Sequence, residues 1–234
     1  MNIDRDTPTL LISTIGRFNK KRRSIYVTSN ILNVEKLLVI VDHEQKKLPD
    51  YDELITEIRT HFANLDIPIY IESTSIFGVE KEYLFFAKCV AALLPGIDQI
   101  AIDCNEGPRY IRSVIQDGVV LIQTLLKTLH QTNLHSFDVL RHMDAKKTIF
   151  YSNLIETIHP HSYRILPIIE KGVSESDMAE LENIRQSTVS NHLKRLRKLG
   201  LIEGKSKSSR SRTIKGDLVL EIVNILKKLD IKNL

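Results

Sequence analysis

Apolar residues in the first part of the chain fall in short continuous runs that alternate with stretches of helical spacing. Residues 9–13, Thr-Leu-Leu-Ile-Ser, are bounded by Ser13-Thr14-Ile15-Gly16, the pattern of a buried strand and the loop that follows it. Residues 36–42, 67–72 and 99–103 predict three more strands of this kind. Pro68 lies at the start of its strand, where a missing N–H costs little. A helix is expected over 19–30, weakened by its β-branched residues. Pro49 and Asp50 open a second, whose Tyr51, Leu54, Ile55, Ile58 and Phe62 share one face. Residues 80–94 form a strongly apolar third helix stopped by Pro95-Gly96. The turn 104–107 leads to a fourth, with Pro108 suited to its first position and an end near His130. Residues 137–143 and 148–154 read as two further strands, arranged antiparallel. Strands alternating with helices imply a parallel sheet covered on both faces.

The pattern changes after residue 156. Residues 162–172 read as a short helix ending at Gly172, with Pro167 shortening it. Ser174 followed three residues later by Asp177 has the spacing of a helix-capping box, so a second helix begins there. Asn183 and Ile184 make a turn. Residues 185–199 form a third helix with Val189, Leu193, Leu196 and Leu199 on one face and Gly200 as its stop. Residues 201–204 and 213–215 read as two short strands around a polar tip, a wing rather than a linker. A last helix over 221–229 carries Leu220, Ile222, Val223, Ile225, Leu226 and Leu229, which suit either dimer packing or packing within the chain.

Charge separates the same two parts. The net charge of +4 averages residues 1–158, with 18 Lys+Arg against 20 Asp+Glu, and residues 159–234, with 15 against 9. Between Arg185 and Lys215 there are ten basic residues and one acid, Glu203. Such asymmetry fits one part that meets an anionic polymer and one that does not, although a solvated basic surface has the same composition. Apolar content of 42% and charged content of 26% exclude disorder over the whole chain. No apolar run reaches the roughly 18 residues of a membrane helix, and Met1-Asn2-Ile3-Asp4 does not begin a secretory signal. A cytoplasmic protein without a membrane partner is the expectation. Cys89 and Cys104 lack metal-site spacing, and His43, His61, His130, His135 and His142 are scattered, so no metal site and no resident cofactor are expected.

Two loops carry candidate chemistry. Ligands of open parallel sheets bind beyond the carboxyl ends of the strands, where strand order reverses. There Ser13, Thr14, Gly16, Arg17 and Phe18 follow the first strand, and Asn105, Glu106, Gly107 and Arg109 follow the fourth. Each loop offers a glycine for close backbone approach, small polar groups and an arginine, and each feeds a helix N-terminus, so a phosphate-bearing ligand fits them. The same residues also suit an ordinary turn with Arg109 in solvent. The glycine patterns of NAD-binding and P-loop sites are absent. In the basic part, three short helices with a polar third one have the layout of a helix-turn-helix. Gln186, Ser187, Thr188, Ser190 and Asn191 would meet base edges, and Lys194, Arg195, Lys205, Lys207, Arg210 and Arg212 would meet phosphates.

The run Thr188-Val189-Ser190-Asn191-His192-Leu193, continuing through Leu196 and Gly200-Leu201-Ile202, resembles the winged helix-turn-helix of ArsR- and MarR-type regulators. That resemblance implies double-stranded DNA as partner and a homodimer. The ArsR metal site does not carry over. The first part is similar to the CARF domain, the CRISPR-associated Rossmann-like fold, through its order of elements and its two ligand loops. Asp103, Gly107 and Arg109 keep the outline of the family's fourth-strand loop, while Asn105-Glu106 replaces its hydroxyl residue and adds a negative charge. The whole chain then looks like archaeal CRISPR-associated regulators that join the two domains.

The expected fold is α/β then mainly α. A Rossmann-like, CARF-like sensing and dimerisation domain occupies 1–156, and a winged helix-turn-helix domain occupies 157–234. The resemblance implies a transcription regulator of CRISPR-Cas genes that senses a cyclic oligoadenylate or related nucleotide. Slow cleavage of that ligand, with Ser13, Thr14, Asn105 or Arg109 positioning its phosphate, is the enzymatic alternative, although no catalytic triad is readable. A regulator sensing a nucleotide or sugar phosphate outside CRISPR is the other.

Overall fold

The four apolar runs form adjacent strands of one sheet, with the third at its edge. The computed structural model describes residues 6–15, 24–74, 79–104, 107, 109–130, 134–138, 143–144, 160–169 and 173–228. The strands are β1 (Thr9–Thr14), β2 (Val34–Asp42), β3 (Ile69–Thr74), β4 (Gln99–Asp103), β5 (His135–Asp138) and β6 (Met143–Asp144), in the spatial order β3-β2-β1-β4-β5-β6. All neighbours run parallel except β5 and β6. The stretch read as one strand over 137–143 is thus divided between β5, paired with β4, and β6, which turns back on it. The strand expected over 148–154 lies outside the described residues.

Helices α1 (Ser24–Ile31), α2 (Tyr51–Ala63), α3 (Val79–Leu93) and α4 (Arg109–His130) cover the sheet. The alternation of side chains along a strand divides them between its faces. Leu11, Leu37 and Val39 pack with Ile25 of α1 and Ile55, Ile58 and Phe62 of α2. Leu10, Ile12, Leu38 and Ile40 face α3 and α4 instead. Lys36 closes one end of this arrangement. Its Nζ donates to the carbonyls of Leu93 at 2.9 Å and Pro95 at 2.6 Å, acceptors that the end of α3 leaves unsatisfied. Burial lowers the pKa of this ammonium.

The second part consists of α5 (Pro160–Ile165) with a 3-10 turn at Leu166–Ile168, α6 (Glu175–Leu181), α7 (Gln186–Lys198), β7 (Ile202–Glu203), β8 (Ser211–Arg212) and α8 (Ile214–Lys227). The capping box at α6 is present in both directions: Ser174 accepts from the Asp177 N–H, and Asp177 accepts from that of Ser174. Gly200, at φ 68°, closes α7 in the left-handed region. Residues 213–215 do not return as a strand. Thr213 caps α8 instead, accepting from the Gly216 N–H at 3.1 Å while its hydroxyl donates to the Gly200 carbonyl at 2.7 Å. The last helix therefore starts seven residues earlier than its apolar pattern indicates, at Ile214. A β-carbon on Gly216 would lie 2.0 Å from the Leu201 carbonyl oxygen, so backbone meets backbone there.

Val219, Ile222, Val223 and Leu226 of α8 are fully buried. The helix lies on α3 and touches α4, with an ion pair between Lys88 and Glu221 at the rim. Of the two uses open to this apolar face, the structure shows packing within the chain. Leu229 lies outside the described residues. One continuous core runs from Leu10 of β1 to Leu226 of α8. Among the described residues no helix is long and apolar enough to cross a membrane.

Close contact of α3 and α4 depends on Gly118, whose β-carbon would fall 2.3 Å from the Phe86 ring. Beside it, Asp117 is 3% exposed, and burial alone pushes its carboxyl up to about 6. Between its ordinary value and about 6, the folded chain holds a proton that the unfolded chain has released. This stabilising contribution is full below the ordinary value and is lost as pH rises through 6. Asp117→Asn should therefore be more stable than the parent at pH 7.5, by an amount on the order of 2–3 kcal/mol. Urea denaturation series should show the difference shrinking steadily as pH falls from 7 to 4.

Candidate ligand edge and nucleic-acid interface

The chain builds the sheet outward from β1, first through β2 to β3 and then, from the other side, through β4 to β5. Strand order reverses between β1 and β4, and a crevice opens at such a point. Ser13 of β1 stands in register with Asp103 of β4. Gly107 stands directly over this edge. Its φ is 111°, and a β-carbon there would lie 3.0 Å from Thr14 Cβ and 3.3 Å from the Ile15 carbonyl oxygen. The two loops singled out in the sequence thus touch through Gly107 and Thr14.

Ser13 and Thr14 are buried, with the Ser13 hydroxyl donating to the Thr14 carbonyl at a long 3.4 Å. Arg109 is the first residue of α4, as a helix N-terminus beside the edge requires. Gly16, Arg17, Phe18, Asn105 and Glu106 lie outside the described residues. Asp103 does not face outward. Its buried carboxylate accepts from Ser24 Oγ and Thr28 Oγ1 of α1, both at 3.0 Å, and ties that helix to β4.

Sequence reading passed over a second group at this edge. Asp42 ends β2 and caps the following 3-10 turn, accepting from the Glu44 N–H at 2.9 Å. Gln45 completes that capping box and donates through Nε2 to the Ile15 carbonyl at 2.7 Å, pinning the start of the first loop. An acid followed three residues later by Gln is a legible signal, and it marks this turn. Tyr110, on α4, faces Asp42. Burial, and then that carboxylate, raise its phenol well above the ordinary range. Cys104 is buried nearby. Cys89, on α3, is only half-buried, and burial pushes its thiol up to about 11.

At the other site, α7 divides as its sequence predicts. Val189, Leu193 and Leu196 are fully buried. Gln186, Ser187, Asn191, Lys194 and Arg195 are exposed, and Thr188 and Ser190 are half-buried beside them. His192 belongs to the inner face, with Nδ1 2.9 Å from Ser162 Oγ of α5.

The wing holds a correction. Lys205 and Lys207 are exposed at its tip, as expected. Arg210 is 2% exposed and turned inward, donating to the Val173 carbonyl and to Glu175 Oε1, both at 3.3 Å. Arg212 donates through Nη1 to the carbonyls of Pro167 at 3.1 Å and Ile169 at 3.0 Å, and through Nε to Asp217 at 2.8 Å. Both side chains are spent on the domain's own carbonyls and carboxylates, which removes them from the set of outward cations. The tip itself is shaped by hydrogen bonds between Ser206 and Ser209. An open cleft of about 710 Å³ separates the end of α7 from the first turn of α8, with Lys198, Glu203 and Lys215 in its walls.

Comparison with known proteins bears on the second part alone. The family model of a helix-turn-helix domain, of ArsR type, matches residues 157–205, which span α5 to β7. A search of curated proteins finds no match. Among solved structures, a variant of RuvB from Thermotoga maritima is 15% identical, covering 92% of this chain and 87% of that one, with a TM-score of 0.26. At that score the superposition carries no argument. The sheet order and the matched segment together give a Rossmann-like parallel sheet followed by a mainly helical region with a helix-turn-helix domain.

Proposed function

We propose that the chain is a ligand-responsive, DNA-binding transcription regulator. The observation that carries this reading is the division of α7. Its apolar face is sealed in the core, and its first turns present amide and hydroxyl side chains outward with Lys194 and Arg195 behind them. Hydrogen-bonding groups at the start of a recognition helix read base edges, and cations further along meet phosphates. Gln186, Ser187, Thr188, Ser190 and Asn191 are the base-reading set. Lys194, Arg195, Lys205 and Lys207 are the backbone set.

In this reading residues 1–156 are the sensing and dimerisation domain, and 157–234 bind DNA. The ligand is a cyclic oligoadenylate or a related nucleotide. It lies at the reversal of strand order, against Ser13, Thr14, Gly16, Arg17 and Phe18 of one loop and Asn105, Glu106, Gly107 and Arg109 of the other. Contact between Thr14 and Gly107 supports this, because one small anionic ligand can then span both loops. The genes controlled are those of a CRISPR-Cas system, through the resemblance of the first part to the CARF domain. A ligand bound across the two-fold axis of a homodimer would favour one spacing of the two recognition helices.

DNA binding should weaken linearly on logarithmic axes with salt, and Lys194→Ala should reduce the steepness by roughly 0.9 for each phosphate that its ammonium neutralises. Fluorescence anisotropy with the chain's own promoter region and a CRISPR leader checks this, and binding indifferent to salt would reject the interface. For the ligand, cyclic tetra-adenylate at 100 times its Kd should add about 2.7 kcal/mol to stability. Gly107→Ala should abolish that thermal shift, since a β-carbon there forces Thr14 and the loop apart. No shift with any nucleotide tested would overturn the sensing role.

A further inference from the structure

Three arginines of the basic segment hold the wing to the helices around it. Arg197, near the end of α7, donates through Nε to the Gly204 carbonyl at 2.8 Å, at the outgoing turn of the wing. Gly204 sits at φ 75°, and a β-carbon there would overlap the Ser209 carbonyl at 2.0 Å, so that turn has one shape. Arg210 returns from the wing to the first turn of α6, where it reaches Glu175 and the Val173 carbonyl. Arg212 reaches the carbonyls after α5 and, through Asp217, the first turn of α8.

A single buried cation is an expensive way to gain stability. Arg210 has one carboxylate partner at 3.3 Å, and its Nε is buried with no hydrogen bond. Desolvation lowers its pKa, the Glu175 carboxylate offsets part of this, and Arg197 adds repulsion. Apolar residues of similar volume commonly replace such groups without loss of stability, and the attested return from them is a fixed register. Here the register is that of the wing against α6 and α8. The wing carries Lys205 and Lys207, and their distance from the recognition helix decides which phosphates they reach.

Resting on the DNA-binding reading above, we propose that Arg210 and Arg212 are positioning residues that preset the wing's pose. They raise affinity for DNA without touching it. The alternative is that both swing out on binding and neutralise phosphates, and the two mechanisms differ in sign. Glu175→Gln and Asp217→Asn each remove the acid that holds one arginine. If the arginines are phosphate contacts, freeing them and deleting a negative charge tightens binding. If they set the pose, the same changes weaken it.

The test measures affinity across a salt series for the full chain, its Glu175→Gln, Asp217→Asn, Arg210→Met and Arg210→Lys variants, and Lys207→Ala as the reference for a true phosphate contact. Hydrogen exchange over residues 202–212 is followed in the same proteins without DNA. Pose-setting predicts roughly three- to tenfold weaker binding for Glu175→Gln and Asp217→Asn. It also predicts faster exchange in the wing and a salt slope for Arg210→Met equal to the parent's. Arg210→Lys should not restore affinity, because an ammonium cannot span both partners as the planar fork does. Tighter binding by the acid variants, or a slope for Arg210→Met lowered as in Lys207→Ala, overturns the proposal. So does exchange in the wing that does not change. If the parent itself shows no salt-dependent binding, the DNA-binding reading is what fails. Exchange then still decides whether the arginines hold the wing.

Discussion

Burial of α8 against α3 is the contact on which the arrangement of the molecule depends. Val219, Ile222, Val223 and Leu226 are fully enclosed there, each contributing roughly 1.5–3 kcal/mol relative to exposure. The helix has obligations at both ends of its reach. Its N-terminus is fixed by Thr213 and Arg212 to the wing and to the turn after α5. Its apolar face lies on a helix that leaves the carboxyl edge of the sheet, since α3 follows β3 directly in the chain. The wing cannot move far from the sheet without exposing that face or dragging α3 with it. Displacement at either end therefore has an energetic consequence at the other, the kind of connection that the proposed ligand-responsive regulator would use.

Most of the sheet was legible because its strands are buried on both faces and so read as continuous apolar runs. The runs at β1, β2, β3 and β4 all appear within two residues of their expected bounds. The nearness of the loops after β1 and β4 was legible only through the general rule for open parallel sheets, and the atomic contact of Thr14 with Gly107 was not, because pairing between distant segments leaves no local trace. The start of α8 was misplaced for a related reason. Residues 213–220 have weak apolar periodicity at first, and the signal for their helix is a cap whose hydroxyl also serves Gly200, thirteen residues earlier. Thr213 looks like a strand residue until the partner of its side chain is known.

Helix α7 and the β7–β8 wing show where charge can be read from sequence and where it cannot. On α7 the apolar positions at helical spacing fix one face, and of the cations off that face Lys194, Arg195 and Lys198 are outward, while Arg197 is half-buried and held by the Gly204 carbonyl. The wing has no such frame. Lys205, Lys207, Arg210 and Arg212 alternate with serines and look equivalent, yet the first two face solvent and the last two are held against the domain. Residue type separates them. An ammonium is strongly hydrated and favours the tip, whereas a guanidinium loses less on desolvation and can satisfy several carbonyls at once. Arg212 does so with Leu166, Pro167 and Ile169.

This distinction changes what the basic segment can do electrostatically. Ten cations lie between Arg185 and Lys215, but only Arg185, Lys194, Arg195, Lys198, Lys205 and Lys207 are exposed. Counterion release counts cations that reach phosphates, so under the proposed DNA-binding reading the six exposed cations of one copy would give a salt slope of about 5 rather than the roughly 9 that the sequence offers. The remaining positive charge still adds to the electrostatic field on this face. Three of these cations, Arg197, Arg210 and Arg212, bond the wing to α7, α6 and the turn after α5. A flexible tip with the same charges would bind DNA over many registers. In the DNA-binding reading proposed above, a tip fixed by inward-turned guanidinium groups would commit the two lysines to one register and leave the neighbouring helix to read the bases.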